Sequence, residues 1–181
     1  MKKWTADRWI ALAASVAAFA ALGLAFWEGY LERKYRRLEL RPKAAVAYFF
    51  NDSGSGFIFS NAGSGPAVVH WTTVSVDGKV MPTWLNVGAA LGFTAPPKFL
   101  FMTPAHVSQP GSEQQMFWVE PGPLDIELRA QYPRVEIETC YCSVFEDCWT
   151  SSRTKPDPRP VDSCLPKPEG YLRSPRLEPA T

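Results

Sequence analysis

An uninterrupted apolar segment near the N-terminus constrains the fold of this chain more than any other feature. The 19 residues from Trp9 to Trp27 contain no charged side chain, and Arg8 and Glu28 bound them. As a helix rising about 1.5 Å per residue, the segment spans roughly 28 Å, close to the thickness of the hydrocarbon core of a bilayer. Tryptophan at both ends suits the membrane interface. The sequence therefore predicts a transmembrane helix over residues 9–27.

A cleaved signal peptide is the alternative interpretation of this segment. The chain starts with a basic Met-Lys-Lys, and the small residues of Gly23-Leu24-Ala25 could form a cleavage site. However, the apolar run is longer than the central region of a typical signal peptide. Its length favours a retained anchor that follows a short N-terminal tail, residues 1–8.

On a helical wheel, the small residues of this segment collect on one face. The row consists of Ala13, Ala17, Ala21 and Ala25. The bulky residues of the opposite half are Leu12, Val16, Phe19, Leu22 and Phe26. Small residues at four-residue spacing allow two helix backbones to approach closely in lipid. We expect the alanine row to be a helix-packing face, although alanine can also serve simply as helix filler.

The helix is expected to continue past the membrane as a basic stalk over residues 28–42. Leu31, Tyr35 and Leu38 recur at helical spacing, and Pro42 ends the pattern. Four basic residues lie close to the span: Arg33, Lys34, Arg36 and Arg37. Each basic side chain near an anionic bilayer surface contributes about 1 kcal/mol of attraction. These four residues, with Trp9 and Trp27, are predicted to contact the membrane interface, and a solvated helix face is the alternative.

Two signals conflict about the side of the membrane on which the rest of the chain lies. More Lys and Arg residues follow the span than precede it, which favours a cytoplasmic domain by the positive-inside rule. Against this, the smaller set (Lys2, Lys3 and Arg8) lies directly beside the apolar run. Four cysteines in one domain also favour an oxidising compartment. We therefore expect a periplasmic domain, with a cytoplasmic domain as the alternative.

After Pro42 the pattern changes from helical to short extended runs between turns, over residues 43–152. The predicted strands are Ala45–Asn51, Phe57–Asn61, Ala67–Val76, Gln115–Glu120, Arg134–Phe145 and Cys148–Ser152. Asp77-Gly78 indicates a hairpin after the third of them, because glycine accepts a positive φ. In that third strand, alternation predicts one face for Val69, Trp71, Thr73 and Ser75. In the fifth, it predicts one face for Val135, Ile137, Thr139 and Tyr141 and the other for Glu136, Glu138, Cys140 and Cys142.

The remaining segments complete the predicted architecture. Pro82–Gly92 fits a short helix, Leu124–Tyr132 fits a helix or a strand, and prolines break Thr94–Pro104 into a loop. Residues 153–181 are proline-rich and are expected to form an extended tail. The fold class predicted is mainly β: a transmembrane helix, then an immunoglobulin-like antiparallel β-sandwich with one or two short helices.

Three short patterns carry a resemblance to a group of proteins. Asn61–Ala67 (NAGSGPA), followed by a strand and Val76–Lys79, resembles a pattern in bacterial single-pass membrane-anchored proteins of unknown function. The segment CYCSVFEDCW, Cys140–Trp149, is similar to the end of such proteins. Pro110–Glu113 resembles the Pro-Gly-Glu turn of immunoglobulin-like bacterial domains, with a serine inserted. The resemblance implies a domain anchored in the bacterial inner membrane, and it supplies no catalytic residues.

The four cysteines are Cys140, Cys142, Cys148 and Cys164. Their spacing lacks the two close pairs of a typical zinc site and the C-x-x-C of a dithiol redox site. Two disulfides account for all four, with Cys142 and Cys148 facing each other across a hairpin and Cys140 reaching the tail. The spacing leaves three connectivities open. Metal ligation and free redox thiols are the alternatives.

No other constellation indicates a reaction. His70 lies in an apolar strand and His106 in a loop, without a Ser or Cys partner at a catalytic spacing. A net charge of +1 gives no reason to expect nucleic-acid binding. We predict a non-catalytic accessory or scaffolding subunit, without a cofactor or a metal. Its predicted partners are membrane lipid and other membrane protein subunits, in a hetero-complex or a homo-oligomer. The alternative is a membrane-tethered thiol-redox or metal-handling protein.

Overall fold

The structure, a computed structural model, describes residues 6–93 and 107–172. The chain divides into two compact units, Met1–Glu39 and Leu40–Thr181. The predicted loop after Thr94 and the predicted loop residue His106 lie outside the described residues, as does the end of the predicted tail.

The first unit is a single helix, α1, Ala6–Glu39. The stretch Arg8–Glu39 is long and apolar enough to cross a membrane by length and composition, a criterion that N-terminal signal sequences also meet. The helix includes most of the predicted stalk, where Arg36 pairs with Glu32 (N–O 2.6 Å) and Arg33 donates to the carbonyl oxygen of Gly29. Arg33 and Arg36 of the stalk thus each have a partner four residues earlier in the same helix.

The second unit is built mainly from short antiparallel strands. Its strands are β1 Ala44–Asn51, β2 Gly54–Asn61, β3 Ala67–Val76, β4 Lys79–Met81, β5 Val107–Ser108, β6 Glu113–Val119, β7 Val135–Cys142, β8 Cys148–Ser152 and β9 Arg159–Val161. Among its described residues, two α-helices are present, α2 Trp84–Ala90 and α3 Pro123–Gln131. The helix predicted within Pro82–Gly92 is confirmed, and Leu124–Tyr132 is mostly helical.

The strands form two sheets that share one core. The smaller sheet has the order β1-β2-β6, and the larger has the order β4-β3-β7-β8-β9, with β5 beside β3. The largest fully buried side chains include Trp84, Tyr141, Phe57, Phe59 and Phe117. Tyr141 of the larger sheet accepts a hydrogen bond at its hydroxyl from the backbone N–H of Ala44 in the smaller sheet, at 3.1 Å. Burial raises the pKa of Tyr141 to about 12, so this cross-sheet hydroxyl stays protonated.

A β-bulge at His70 changes the predicted alternation of β3. Val69 pairs with Tyr141 and Trp71 pairs with Cys140, so that His70 has no cross-strand partner in this register. One extra residue in a strand reverses the face of every later side chain. Val69 and Thr72 are therefore buried on the core side, while Trp71 packs on the other face against cysteines. The prediction that Val69 shares a face with Trp71 is wrong.

The predicted alternation of β7 is confirmed. Val135, Ile137, Thr139 and Tyr141 are all buried in the shared core or beside it. On the other face, Cys140 and Cys142 belong to a second buried cluster.

Residues 153–172, which we call the strap, lie against the larger sheet. The strap begins beside β8, where β9 pairs with it. It ends beside β3, where the N–H of Leu172 donates to the carbonyl oxygen of Thr72 at 2.7 Å and the Leu172 side chain is buried in the core. The described part of the predicted tail is therefore part of the sheet structure.

The buried side chain of Asn61 organises the entry of the chain into the second unit. Its Oδ1 accepts from the backbone N–H groups of Lys43 and Gly63, both at 3.1 Å. Its Nδ2 donates to the carbonyl oxygens of Gly65 at 2.9 Å and Ser108 at 3.1 Å. All the hydrogen-bonding positions of the amide are used. Asn61 therefore fixes three segments relative to one another.

Two glycines allow the same turn to lie against the linker, residues 40–43. A Cβ on Gly65 would lie 1.8 Å from the carbonyl oxygen of Leu40, and a Cβ on Gly63 would lie 2.3 Å from the nitrogen of Lys43. The backbone of Asn61 also pairs with the 111–112 turn, donating to Ser112 and accepting from Gly111. The Asn61–Ala67 and Pro110–Glu113 segments thus meet at Asn61.

A buried carboxylate fixes α3 on the smaller sheet. Asp125 is 5% exposed and accepts hydrogen bonds from Ser55 of β2 and from Arg129 at 3.0 Å. Burial acts to raise the pKa of Asp125, but the hydrogen bonds from Arg129 and Ser55 outweigh burial and hold that pKa below its ordinary value. Asp125 is therefore ionised and paired.

We expect Asn61→Ala to lower the free energy of unfolding by about 3 kcal/mol, because it leaves buried backbone groups without hydrogen-bond partners. The measurement is guanidinium unfolding of the full chain in detergent, followed by tryptophan fluorescence. The matched control is Asn51→Ala, since Asn51 is exposed and its Oδ1 accepts from Ser53 in a local turn. The control should change stability by about 0.5 kcal/mol. Equal losses for the two variants would contradict the role of Asn61.

Candidate functional site

The four cysteines meet on the face of β7 that points away from the shared core. Cys140 pairs with Cys164, and Cys142 pairs with Cys148, each with its two sulfur atoms 2.05 Å apart. No cysteine of the chain is free. This is the pairing that the hairpin spacing favours among the three possible ones. We call these four residues the sulfur cluster.

A tight turn brings Cys142 and Cys148 together. The two residues lie opposite each other in the β7–β8 register, with their Cα atoms 4.0 Å apart. Between them, the N–H of Ser143 donates to the carbonyl oxygen of Asp147 at 2.7 Å, and Glu146 has a φ of 65°. The predicted hairpin between Cys142 and Cys148 is therefore present, and Val144, Phe145 and Glu146 form its turn.

The strap and the β-bulge bring Cys164 to Cys140. Pairing of β9 with β8 directs the strap across β7. The bulge turns Trp71 to the same face, where its Nε1–H donates to the carbonyl oxygen of Cys164 at 2.8 Å. The strap is therefore held at Cys164 by one covalent bond and one hydrogen bond.

The two disulfides contact each other. The Sγ atoms of Cys142 and Cys164, which belong to different disulfides, lie 3.6 Å apart. The Sγ atoms of Cys142, Cys148 and Cys164 all lie within 4.8 Å of one another. The cluster is buried, and its members range from 0% exposed for Cys140 to 8% for Cys148. Trp71 and Val161 pack against it.

A groove of about 500 Å³ gives access to this cluster. Its walls include Cys142, Cys148, Cys164, His70, Glu146 and Asp162. Cys140 is not among the residues that line it. The groove therefore presents one complete disulfide and one sulfur-bearing residue of the other. We call it the sulfur groove.

The oxidation state decides what the sulfur cluster can do chemically. The thiolate is the form of cysteine that binds metals and attacks as a nucleophile. Sulfurs that are bonded to each other offer no thiolate, so the paired cluster is a covalent staple. After reduction, the same sulfurs can take part in thiol–disulfide exchange.

Sequence reasoning did not place His70 in this site. Alternation treats every residue of a strand as paired, whereas the bulge leaves His70 and Trp71 both outside the core. The sequence does contain a sign of the bulge. Thr72, Val74 and Val76 alternate regularly, but two residues, His70 and Trp71, separate Thr72 from Val69. The strand carboxylate Glu136 lies elsewhere, accepting a hydrogen bond from Thr154 at 2.9 Å and pairing with Arg153 (N–O 3.6 Å) at the start of the strap.

A second groove lies at the start of the second unit. It has a volume of about 590 Å³, and its lining includes Arg41, Lys43, Gly63 and Asp157. The guanidinium of Arg41 lies over the ring of Trp149, 5.1 Å from its centroid. This basic groove includes Arg41 and Pro42, the last residues of the predicted stalk.

No family model, no curated protein and no solved structure matches this chain.

Removing each disulfide as a pair of serines should destabilise the second unit by different amounts. Loop-closure entropy predicts a loss of about 3 kcal/mol for Cys140→Ser with Cys164→Ser, which are separated by 24 residues. For Cys142→Ser with Cys148→Ser, separated by 6 residues, the loss should be about 2 kcal/mol. Guanidinium unfolding of both variants measures the difference. If removing Cys142–Cys148 lowered the free energy of unfolding as much as removing Cys140–Cys164, or more, the longer loop closed by Cys140–Cys164 would not restrain the unfolded chain as expected.

Proposed function

We propose that this protein is a non-catalytic, membrane-anchored accessory or scaffolding subunit of a membrane protein complex. The observation that carries the proposal is the exposure of α1. None of its candidate span is buried, and Phe19 and Phe26 are 75% and 77% exposed. An apolar helix of this length needs lipid or protein around it.

The proposed partner contact in the membrane is the alanine row. Ala13, Ala17, Ala21 and Ala25 lie within the continuous helix α1 and are exposed. The bulky residues of the opposite half suit acyl chains, whereas the alanine row lets a second helix approach closely. The favoured partner is a different membrane protein subunit. A second copy of this chain, the alternative partner, would use the same face.

The second unit is proposed to lie in the periplasm, with α1 in the bacterial inner membrane. Two paired disulfides support an oxidising compartment, since cytoplasmic thiols are normally kept reduced. The larger number of basic residues after the span favours the cytoplasm instead, and this is the alternative. We further propose that the unit is an immunoglobulin-like sandwich of the bacterial membrane-anchored group, which the two antiparallel sheets around one core support.

Lipid headgroups are the second proposed partner. Trp9 and Trp27 flank the span, and the basic residues of the stalk follow it at one end. Arg41 and Lys43 extend this basic character into the second unit, where they line the basic groove. Anionic headgroups would neutralise these side chains.

The proposed compartment is tested by the state of the cysteines in cells. Cells that express the full chain are treated with N-ethylmaleimide before lysis, without reductant, and the protein is analysed by mass spectrometry. We expect no alkylation of the four cysteines, because all are paired. As a control, reduction under denaturing conditions before alkylation should add four labels. Labelling of the cysteines without reductant would contradict a periplasmic domain.

The proposed helix contact is tested by adding bulk to the alanine row. Ala17→Leu with Ala21→Leu should reduce the recovery of co-purifying membrane subunits by roughly tenfold, because two bulky side chains prevent the close approach of helix backbones that alanine allows. A tenfold loss corresponds to about 1.4 kcal/mol of association free energy. The matched control is Ser15→Leu with Val16→Leu, which adds two leucines on the opposite half of the helix. The control should leave recovery unchanged. Unchanged assembly of the alanine-row variant would overturn the proposal.

A further inference from the structure

We propose that the sulfur cluster is a two-disulfide exchange site for a dithiol that enters the sulfur groove. The dithiol opens first Cys142–Cys148, the hairpin disulfide, and then Cys140–Cys164, the strap disulfide. The cluster supports this because the two disulfides contact each other and differ in their access to the groove. Disulfide exchange at this cluster does not depend on the proposed accessory role, since it needs only the four cysteines in their observed arrangement.

Access determines which disulfide reacts first. Cys142 and Cys148 both line the sulfur groove, and Cys148 is the most exposed member of the cluster at 8%. Cys140 is fully buried and does not line the groove. Cys164, the other member of the strap disulfide, does line the groove but is only 3% exposed. An incoming thiolate therefore reaches the hairpin disulfide more readily than the strap disulfide.

The first step is reduction of the hairpin disulfide by the dithiol. One thiolate of the dithiol attacks Sγ of Cys148, so that a mixed disulfide forms, the Cys142–Cys148 bond breaks and Cys142 leaves as a thiolate. The second thiol of the dithiol then loses its proton and attacks the mixed disulfide. It releases the dithiol as an internal disulfide and leaves Cys148 as a thiolate, which takes up that proton. Two electrons have passed from the dithiol to the protein.

The second step is an exchange within the protein. The Cys142 thiolate lies beside Sγ of Cys164, which is 3.6 Å away in the paired state. Its attack forms a Cys142–Cys164 bond, breaks the Cys140–Cys164 bond and releases Cys140 as a thiolate. This step needs no further oxidant or reductant, because one disulfide replaces another.

Exchange changes which residue of β7 holds the strap. After the exchange, the strap is bonded to Cys142, which lines the groove, instead of to Cys140, which does not. A second equivalent of dithiol can then reduce the Cys142–Cys164 bond directly and free the strap. Until the hairpin disulfide has been opened, the strap disulfide is thus the less accessible of the two, since its groove-lining member Cys164 is 3% exposed and Cys140 is fully buried.

The direct test is Cys148→Ser, which leaves Cys142 as a free thiol without any added reductant. The full chain is purified in detergent, its free thiols are blocked with N-ethylmaleimide at low pH, and chymotryptic peptides are mapped by mass spectrometry. Cleavage after Tyr141 and Phe145 places Cys140, Cys142 and the serine at position 148 on separate peptides. We expect Cys142–Cys164 and Cys140–Cys164 in amounts within roughly tenfold of each other, since exchange between similar thiols is nearly balanced.

The matched control is Cys142→Ser, which leaves Cys148 as the free thiol. Sγ of Cys142 is in contact with Sγ of Cys164 at 3.6 Å, whereas Sγ of Cys148 lies within 4.8 Å of it without a recorded contact. This variant should therefore hold mainly the Cys140–Cys164 bond. A Cys148→Ser protein that holds only Cys140–Cys164 would overturn the proposal. Equal exchange in the Cys142→Ser control would overturn the assigned route through Cys142.

A kinetic test uses the unsubstituted protein. With limiting dithiothreitol, alkylation at successive times should show the Cys142–Cys164 bond before the strap is fully reduced. Cys142→Ser with Cys148→Ser removes the attacking sulfur, so its Cys140–Cys164 bond should open at least about tenfold more slowly than in the unsubstituted chain. Opening at the same or a higher rate would contradict the protection of the strap disulfide.

Discussion

The side-chain amide of Asn61 is the interaction on which the second unit depends. Its hydrogen bonds reach the linker at Lys43, the turn at Gly63 and Gly65, and β5 at Ser108. The bonds to the carbonyl oxygens of Gly65 and Ser108 are buried, so loss of the amide would leave these two groups without this partner and away from water. The glycines let the linker lie directly on the turn. The start of β1 and the start of β3 are consequently fixed together, and both sheets begin from that junction.

On the face of the larger sheet that points away from the core, the sulfur cluster fixes segments together: its disulfides join β7 to the strap and to β8. β7 supplies core residues on one side and cysteines on the other, so a single strand contacts both buried clusters. The strap closes over the second cluster through Cys164 and Trp71 and reaches the core again at Leu172. Because the disulfides contact each other, reduction of Cys142–Cys148 would leave the thiolate of Cys142 beside Sγ of Cys164. The staple and the proposed exchange site are therefore the same four residues in two oxidation states.

Local patterns predicted the elements well, because each depends on neighbours in sequence. The long helix follows from its apolar composition, and the faces of β7 follow from a period of two. The same rule was wrong for β3, since a bulge is decided by how two strands fit, and β3 alone does not show it. The error mattered for the site, because the bulge turns Trp71 onto Cys164 and places His70 in the groove.

By itself, the sequence determined an apolar N-terminal helix, a β-rich second unit and the position of two cysteines on either side of a short hairpin, while three disulfide connectivities stayed open. These features depend on composition, periodicity and short-range turns, which each segment shows in its own sequence whatever strand it later pairs with. Tertiary structure alone decided which sheet each strand joins and where the strap lies. It also decided that Cys142 and Cys164 are in contact. The physical reason is that those contacts join residues far apart in the chain, and their positions follow from packing of the two sheets around one core.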